Sequence, residues 1–96
     1  MTPRSLARLE AAIGHRFADP ALLRQALTHG SAGGPDYERL EFLGDRVLGL
    51  VIAHLLYDSH ATASPGDLSK RLVQLVRGET LAQLARSIDL GRYLTV

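Results

Sequence analysis

The stretch that decides the fold is Glu38-Arg39-Leu40-Glu41-Phe42-Leu43-Gly44-Asp45, which opens a run of helix-forming residues ending near Tyr57. From Leu40 onward the apolar residues surround the helix axis instead of forming one stripe, and a helix that is apolar on all sides is usually a buried one. They are Leu40, Phe42, Leu43, Val47, Leu48, Leu50, Val51, Ile52, Leu55 and Leu56. We therefore expect a long buried central helix, wrapped by the other helices and by a partner subunit.

Helical patterns also account for the rest of the chain, and no alternating strand pattern appears. Asp19 before Pro20 and Ser64 before Pro65 each place an N-cap residue ahead of a proline in the first helical turn. Asp36 can cap the long helix in the same way. The other predicted helices are residues 5–13, one starting at 19–20, one opening at 64–67 and one over 79–88. The sequence thus predicts an all-α domain of five helices, with residues 1–96 belonging to one domain.

Composition limits the classes of function. A chain of 96 residues is one small domain or part of one, and 46% hydrophobic with 22% charged residues is typical of a folded protein. Eleven Lys and Arg against ten Asp and Glu give a net charge of +1, so any nucleic-acid surface must come from the placement of charge. The absence of cysteine excludes disulfides and thiolate zinc sites.

Residues 1–10 are charged where a signal peptide is apolar, and no stretch reaches membrane-spanning length, so we expect a cytoplasmic protein without a membrane partner.

Three acids are stacked on the long helix. At about 100° per residue, Glu38, Glu41 and Asp45 fall within an arc of about 60°. The same face continues as Leu48 and Ile52, so the acids lie at the edge of apolar surface. Neighbouring charges at this spacing repel by roughly 3 kcal/mol at an effective dielectric constant of 20. Another group must therefore offset the repulsion among the three acids.

The helix itself offers no obvious counter-charge. No cation lies three or four positions from any of the acids, and Arg39 and Arg46, adjacent to them in sequence, are expected to point elsewhere. Protonation of an acid, a cation from another helix such as Lys70 or Arg71, or a bound hard ion such as Mg²⁺ would each relieve the repulsion. Spacing alone favours a structural ion-pair network or a solvated helix start over a metal site.

Gly44 and Gly49 lie inside the same helix, where each costs about 0.5–1 kcal/mol relative to Ala. Close approach of another helix, or of a substrate or metal-bound water, would explain their presence. Of these explanations, tight helix packing is the one that we expect.

The run 38–45 resembles the signature of the ribonuclease III family. Supporting matches are Ala26-Leu27-Thr28-His29 with Ser31, Gly66-Asp67-Leu68-Ser69, Leu75-Val76-Arg77-Gly78 and Thr80-Leu81-Ala82, which span nearly all of the chain in family order. The resemblance implies an all-helical N-terminal endonuclease domain that cleaves double-stranded RNA as a homodimer, in RNA processing. It also reverses the preference between the two interpretations of the acids in favour of a metal site.

The resemblance assigns roles to the stacked acids. It implies that Glu41 and Asp45 are catalytic metal ligands for Mg²⁺, with Mn²⁺ as a possible substitute, and that Glu38 is an acidic neighbour at the dimer or RNA surface of the cleft. The implied reaction is attack of a metal-activated water on phosphorus, which leaves 5′-phosphate and 3′-hydroxyl ends.

Three cations are candidates for phosphate contacts, since A-form RNA is held mainly through its backbone and 2′-hydroxyls. Lys70, Arg71 and Arg77 lie on or after the fourth predicted helix. A solvated helix face is an equally good interpretation of all three. The histidines show no metal-ligand spacing, and His29 is interpreted as a satisfied loop histidine.

Several departures from the family pattern bear on function. The family completes its site with an Asp and a Glu, three residues apart on a later helix, so these 96 residues hold half of a site. Pro65 stands where the family often has an acid, and Gly30 and Arg46 stand where it commonly has Arg and a small residue. The double-stranded-RNA-binding domain that is usually appended to the bacterial enzymes is not expected within these 96 residues. The alternative function is therefore a catalytically inactive relative that dimerises and binds RNA. A di-iron bundle is excluded, because neither Glu38 nor Glu41 begins a Glu-x-x-His pair.

Overall fold

The fold is an all-α arrangement, given by a computed structural model that describes the backbone of residues 3–96 and the side chains from Leu6 onward. Met1 and Thr2, the start of the charged N-terminal stretch, lie outside the described residues. In the described range the chain forms no strand, only a single parallel bridge between Thr28 and Thr95. The helices are α1 (Pro3–Ile13), α2 (Pro20–Ala26), α3 (Glu38–Ser59), α4 (Pro65–Val76) and α5 (Gly78–Ser87), with 3₁₀ turns at Gly30–Ala32 and Leu90–Tyr93. The predicted all-α class is confirmed.

Side-chain caps set the starts of three helices, because the first N–H groups of a helix have no partner within it. Asp19 Oδ1 accepts a hydrogen bond from the Ala21 N–H at 3.0 Å, and Pro20 follows as the first residue of α2. Asp36 Oδ1 accepts from the Glu38 N–H at 2.9 Å. Ser64 Oγ accepts from the Asp67 N–H at 3.1 Å, and Pro65 opens α4. The predicted caps are therefore confirmed.

Removing the Ser64 hydroxyl should weaken α4. Ser64→Ala leaves the Asp67 N–H without its side-chain acceptor, so we expect the free energy of unfolding to fall by about 1 kcal/mol. Urea unfolding followed by circular dichroism measures the change. Ser69→Ala, at an exposed position within the same helix, is the matched control and should keep or slightly raise stability. Equal stability of Ser64→Ala and the parent would show that the cap contributes nothing.

The chain forms two compact units, and the first comprises the residues up to Glu41 together with Ala85–Val96. Its core is a cluster of buried residues bordered by three partly buried ones. The buried members are Leu6, Leu9, Leu23, Leu27 and Tyr93, and the bordering residues are Phe17, Ile88 and Leu90. Leucines spaced three or four apart on α1, and on α2 and its C-cap, thus meet an aromatic ring from the C-terminal 3₁₀ turn.

Backbone hydrogen bonds in the first unit fix the connection that leads into α3. The Thr95 N–H donates to the Leu27 carbonyl at 2.9 Å, and the His29 N–H donates to the Thr95 carbonyl at 2.8 Å. The Tyr37 N–H donates to the Thr28 carbonyl at 3.0 Å. The start of α3 is therefore tied to α2 and to the C-terminal segment by main-chain contacts that do not depend on side-chain identity.

The second unit comprises Phe42–Leu84, and α3 has one protected stripe within it. Leu48 and Ile52 are partly buried and Leu56 is buried; we call these three residues the sheltered stripe. The other large hydrophobic residues of α3 in this unit are exposed, namely Phe42, Leu43, Val47, Leu50, Val51, Leu55 and Tyr57. The predicted enclosure of α3 by the other helices is wrong for the described residues, and its burial against a partner subunit stays a prediction. The remaining described helices of the unit, α4 and the first part of α5, are too few to enclose another helix, and a small chain buries a small fraction of its surface.

The glycines of α3 also differ from expectation. A Cβ atom built at Gly44 or at Gly49 meets no atom within 4 Å. The expected helix packing is therefore wrong for the described residues, since space for a side chain is open beside both positions.

No described helix has the length and apolar character needed to cross a membrane.

Candidate functional site

The stacked acids lie at the start of α3, where hydrogen bonds define the first helical turn. Glu38 and Glu41 occupy the first turn and Asp45 follows one turn later, and all three are exposed. The Asp36 cap and a 2.7 Å hydrogen bond from the Glu41 N–H to the Tyr37 carbonyl form the first turn. Acids near a helix N-terminus are favoured by the partial positive charge of that end. Residues at these spacings share one face of a helix, so the acids lie on the same face as the sheltered stripe. They precede its first residue, Leu48.

Asp45 has a counter-charge on its own helix. Arg46 Nη1 donates to Asp45 Oδ2 at 2.8 Å. The guanidinium carbon of Arg46 lies 4.5 Å from the centroid of the Phe42 ring, in a cation–π contact. Both charged side chains are 62% exposed, so the pair contributes at most about 1 kcal/mol to stability. The ion pair nevertheless occupies one carboxylate oxygen of a predicted metal ligand.

The expectation that Arg46 points away from the acids is therefore wrong. Adjacent residues leave a helix about 100° apart, which was the basis of that expectation. The arginine side chain is long enough to bend across the ring of Phe42, four positions earlier, and reach the carboxylate. The sequence does carry the signal that was missed, an aromatic residue four positions before an Arg that directly follows an Asp.

Glu38 is turned toward the loop that precedes α3. A Cβ atom at Gly30 would lie 3.0 Å from Glu38 Oε1 and 3.6 Å from Asp36 Oδ2. The Glu38 carboxylate therefore lies against the backbone of the Gly30–Ala32 turn. His29 caps this turn, because its Nδ1 accepts from the Ser31 N–H at 3.0 Å. The interpretation of His29 as a satisfied loop histidine is confirmed.

The three predicted RNA-binding cations are exposed, and two of them already have partners. Arg71 Nε lies 3.0 Å from Asp67 Oδ2, one turn earlier on α4. Arg77 forms an ion pair with Glu79 and a 3.4 Å hydrogen bond to Gln74 Oε1. Lys70 is exposed on the same helix. The cation that pairs with a stacked acid is thus Arg46 and not Arg71.

The donor set around the acids fits part of the coordination shell of a hard cation. In the described part of the chain, no three His, Asp or Glu side chains are grouped to hold a metal ion. Glu41 and Asp45, at positions i and i+4 of α3, offer carboxylate oxygens. Mg²⁺ commonly takes one or two protein carboxylates and fills its other positions with water and phosphate oxygens. Two carboxylates are therefore compatible with Mg²⁺.

Comparison with known proteins identifies the family. A family model described as Ribonuclease-III-like matches residues 19–96, and the chain belongs to this family. It is similar to Ribonuclease 3 of Colwellia psychrerythraea, with 51% identity over 94 residues that cover 98% of this chain and 35% of that protein. It is 56% identical over 91 residues to Ribonuclease 3 of Rhizobium etli, covering 92% of this chain and 38% of that protein. The chain therefore spans a little over a third of these curated relatives.

Two solved structures support the same relationship. Both are of the nuclease domain of ribonuclease III from Campylobacter jejuni. One matches all of this chain and 65% of the solved chain, with a TM-score of 0.90 and 39% identity. The other is described as showing structural flexibility in a region involved in dimer formation; it covers 93% of this chain and 63% of the solved chain, with a TM-score of 0.88 and 41% identity. The family resemblance and the fold expected from it are confirmed.

Proposed function

We propose that residues 1–96 form part of an endonuclease domain that hydrolyses double-stranded RNA in a metal-dependent reaction. The observation that carries the proposal is the pair of exposed carboxylates, Glu41 and Asp45, one turn apart on α3. Membership of the Ribonuclease-III-like family and the similarity to proteins named Ribonuclease 3 support this chemistry. RNA processing in the cytoplasm is the cellular setting that we propose.

Mg²⁺ is the proposed cofactor, with Mn²⁺ as a substitute, because the two ligands are hard carboxylate oxygens. When bound, the ion would supply Lewis-acid chemistry, activating a water and neutralising charge on the leaving 3′-oxygen. Glu41 and Asp45 would hold the ion at the start of α3. The water oxygen bonds to phosphorus as the bond from phosphorus to the 3′-oxygen breaks. The attacking water gives up one proton to solvent, and the leaving 3′-oxygen takes up one proton. The products are 5′-phosphate and 3′-hydroxyl ends.

Lys70, Arg71 and Arg77 are the proposed phosphate contacts, and Glu38 borders the cleft. The ion pair of Arg71 with Asp67 is exposed, with both side chains a little under half accessible, and such pairs are weak. A phosphate can therefore replace the carboxylate at little cost, and release of counterions from the RNA favours the exchange.

Homodimerisation is the second part of the proposal. The exposed apolar residues in the first three turns of α3, Phe42, Leu43 and Val47, provide surface for a second copy. A solved nuclease domain of ribonuclease III from Campylobacter jejuni is similar to this chain, and it is described as flexible in a region involved in dimer formation. Phe42 is 64% exposed and lies one turn after Glu38. Since exposed aromatic residues are enriched at protein interfaces, we assign Phe42 to the dimer surface.

Phe42→Ala should weaken the homodimer. Truncating an aromatic anchor at an interface commonly raises the Kd of the dimer by about tenfold to a hundredfold. Sedimentation equilibrium over a concentration series measures this constant. Tyr57→Ala, which removes another exposed aromatic side chain of α3, is the matched control and should leave the Kd unchanged. An unchanged Kd for Phe42→Ala would exclude Phe42 from the dimer surface.

Incubation with a long RNA duplex tests the proposed activity. We expect fragments with 5′-phosphate ends in the presence of Mg²⁺ and an intact duplex in the presence of a chelator. Binding of the duplex without Mg²⁺-dependent shortening would contradict the endonuclease. That result would support the alternative, a catalytically inactive member of the family that dimerises and binds RNA.

A further inference from the structure

We propose that Arg46 is a tethered counter-ion that competes with the divalent cation for Asp45 and so lowers the affinity of the site for metal. This inference rests on the proposed metal site at Glu41 and Asp45. It assigns a role in metal binding to a residue that would not itself contact the metal.

The geometry joins three residues on one side of α3. Arg46 Nη1 donates to Asp45 Oδ2 at 2.8 Å, so a lone pair that a metal ion would use is engaged by the guanidinium group. Phe42 lies beneath the same guanidinium group at 4.5 Å. The ring restricts the arginine side chain, and the ion pair therefore forms at a lower cost in conformational entropy than an unsupported one.

The pairing has little value for helix stability, which argues for another role. Ion pairs that support a helix join positions three or four apart. The pair Arg71–Asp67 has that spacing. Arg46 and Asp45 are adjacent, a spacing at which side chains do not normally face each other on a helix. The contact arises from the Phe42 platform and the length of the arginine.

The competition is partial, because the ion pair is weak and exposed. Both side chains of the pair are well over half accessible, so water screens their attraction. A divalent cation carries twice the charge of the guanidinium group and gains a second carboxylate from Glu41. Arg46 therefore raises the metal concentration required for binding without closing the site.

Titration with Mn²⁺ alone tests the inference, using the electron paramagnetic resonance signal of free Mn²⁺ to measure the bound fraction. Arg46→Gln keeps a long polar side chain and removes the charge. We expect its Kd for Mn²⁺ to fall by about 1.5- to fivefold, the range that loss of one exposed counter-ion supports. Arg46→Lys keeps the charge but loses the planar guanidinium group, so its Kd should fall between those of the parent and Arg46→Gln. Arg86→Gln removes an exposed charge from α5 and should leave the Kd unchanged.

The outcomes separate this inference from the proposed function. If the parent binds Mn²⁺, Asp45→Asn weakens binding and Arg46→Gln does not change it, the inference is overturned while the metal site stands. An equal gain in Arg46→Gln and Arg86→Gln also overturns it, because overall charge would then explain the effect. Absence of Mn²⁺ binding by both the parent and Arg46→Gln overturns the inference and the proposed metal site together.

Discussion

Asp45→Asn should lower the rate of Mg²⁺-dependent cutting of duplex RNA by at least about a hundredfold. Loss of a group that only supports a metal ligand commonly costs 10- to 100-fold, and loss of the ligand itself should cost more. The substitution removes a charge and a strong oxygen donor, but it leaves the shape of the side chain nearly unchanged. The fold should survive, because the Asp45 side chain is largely exposed and bonded only weakly to Arg46. Initial rates on an end-labelled duplex measure the effect.

Asp58→Asn is the matched control for this prediction. Asp58 lies on the same helix and is exposed, and its Oδ2 lies 3.3 Å from His54 Nε2. The chemical change is therefore identical, and the cutting rate should remain that of the parent. Equal rates for Asp45→Asn and the parent would remove Asp45 from the site. Equal losses in the two variants would attribute the effect to charge on α3 and not to metal binding.

Leu9→Ala should lower the free energy of unfolding by about 2–5 kcal/mol, the range for emptying a packed leucine site. Leu9 is 2% exposed, and it belongs to the cluster that joins α1, α2 and the C-terminal 3₁₀ turn. The cavity left by the substitution has packed neighbours on several sides and can collapse only in part. Urea unfolding at a fixed protein concentration measures the loss.

Leu22→Ala provides the comparison within the same unit. Leu22 is on α2 and is 43% exposed. Its truncation removes less buried surface, and we expect a loss of about 1 kcal/mol. Similar losses for the two variants would contradict the assignment of the core to the cluster around Leu9.

The helix boundaries were predictable because their determinants are local. An Asp or Ser followed by Pro specifies both the first helical residue and the acceptor for an unpaired N–H, and α2 and α4 begin as this chemistry requires. The sharing of one face by Glu41 and Asp45 was predictable for the same reason, since their separation on a helix follows from its pitch. Their role as metal ligands remains a prediction.

Features that depend on non-local structure were not predictable. The apolar circumference of α3 indicated burial, but a sequence pattern does not state how much protein is present to cover it, and most of that surface is exposed. The pairing of Thr95 with Leu27 and His29 joins backbone groups far apart in sequence, which no side-chain pattern marks. The position of the Arg46 guanidinium depends on rotamers and on the Phe42 ring, so residue spacing alone gave the wrong direction.

Site-directed mapping with Fe²⁺ in place of Mg²⁺ tests the central claim most directly. In the presence of ascorbate and peroxide, bound Fe²⁺ generates hydroxyl radicals that cut the nearest polypeptide backbone, and mass spectrometry locates the cuts. The account predicts cuts within residues 41–45 that excess Mg²⁺ suppresses and that disappear in the double variant Glu41→Gln/Asp45→Asn. Cuts confined to other parts of the chain, or cuts at 41–45 that persist in the double variant, would contradict it.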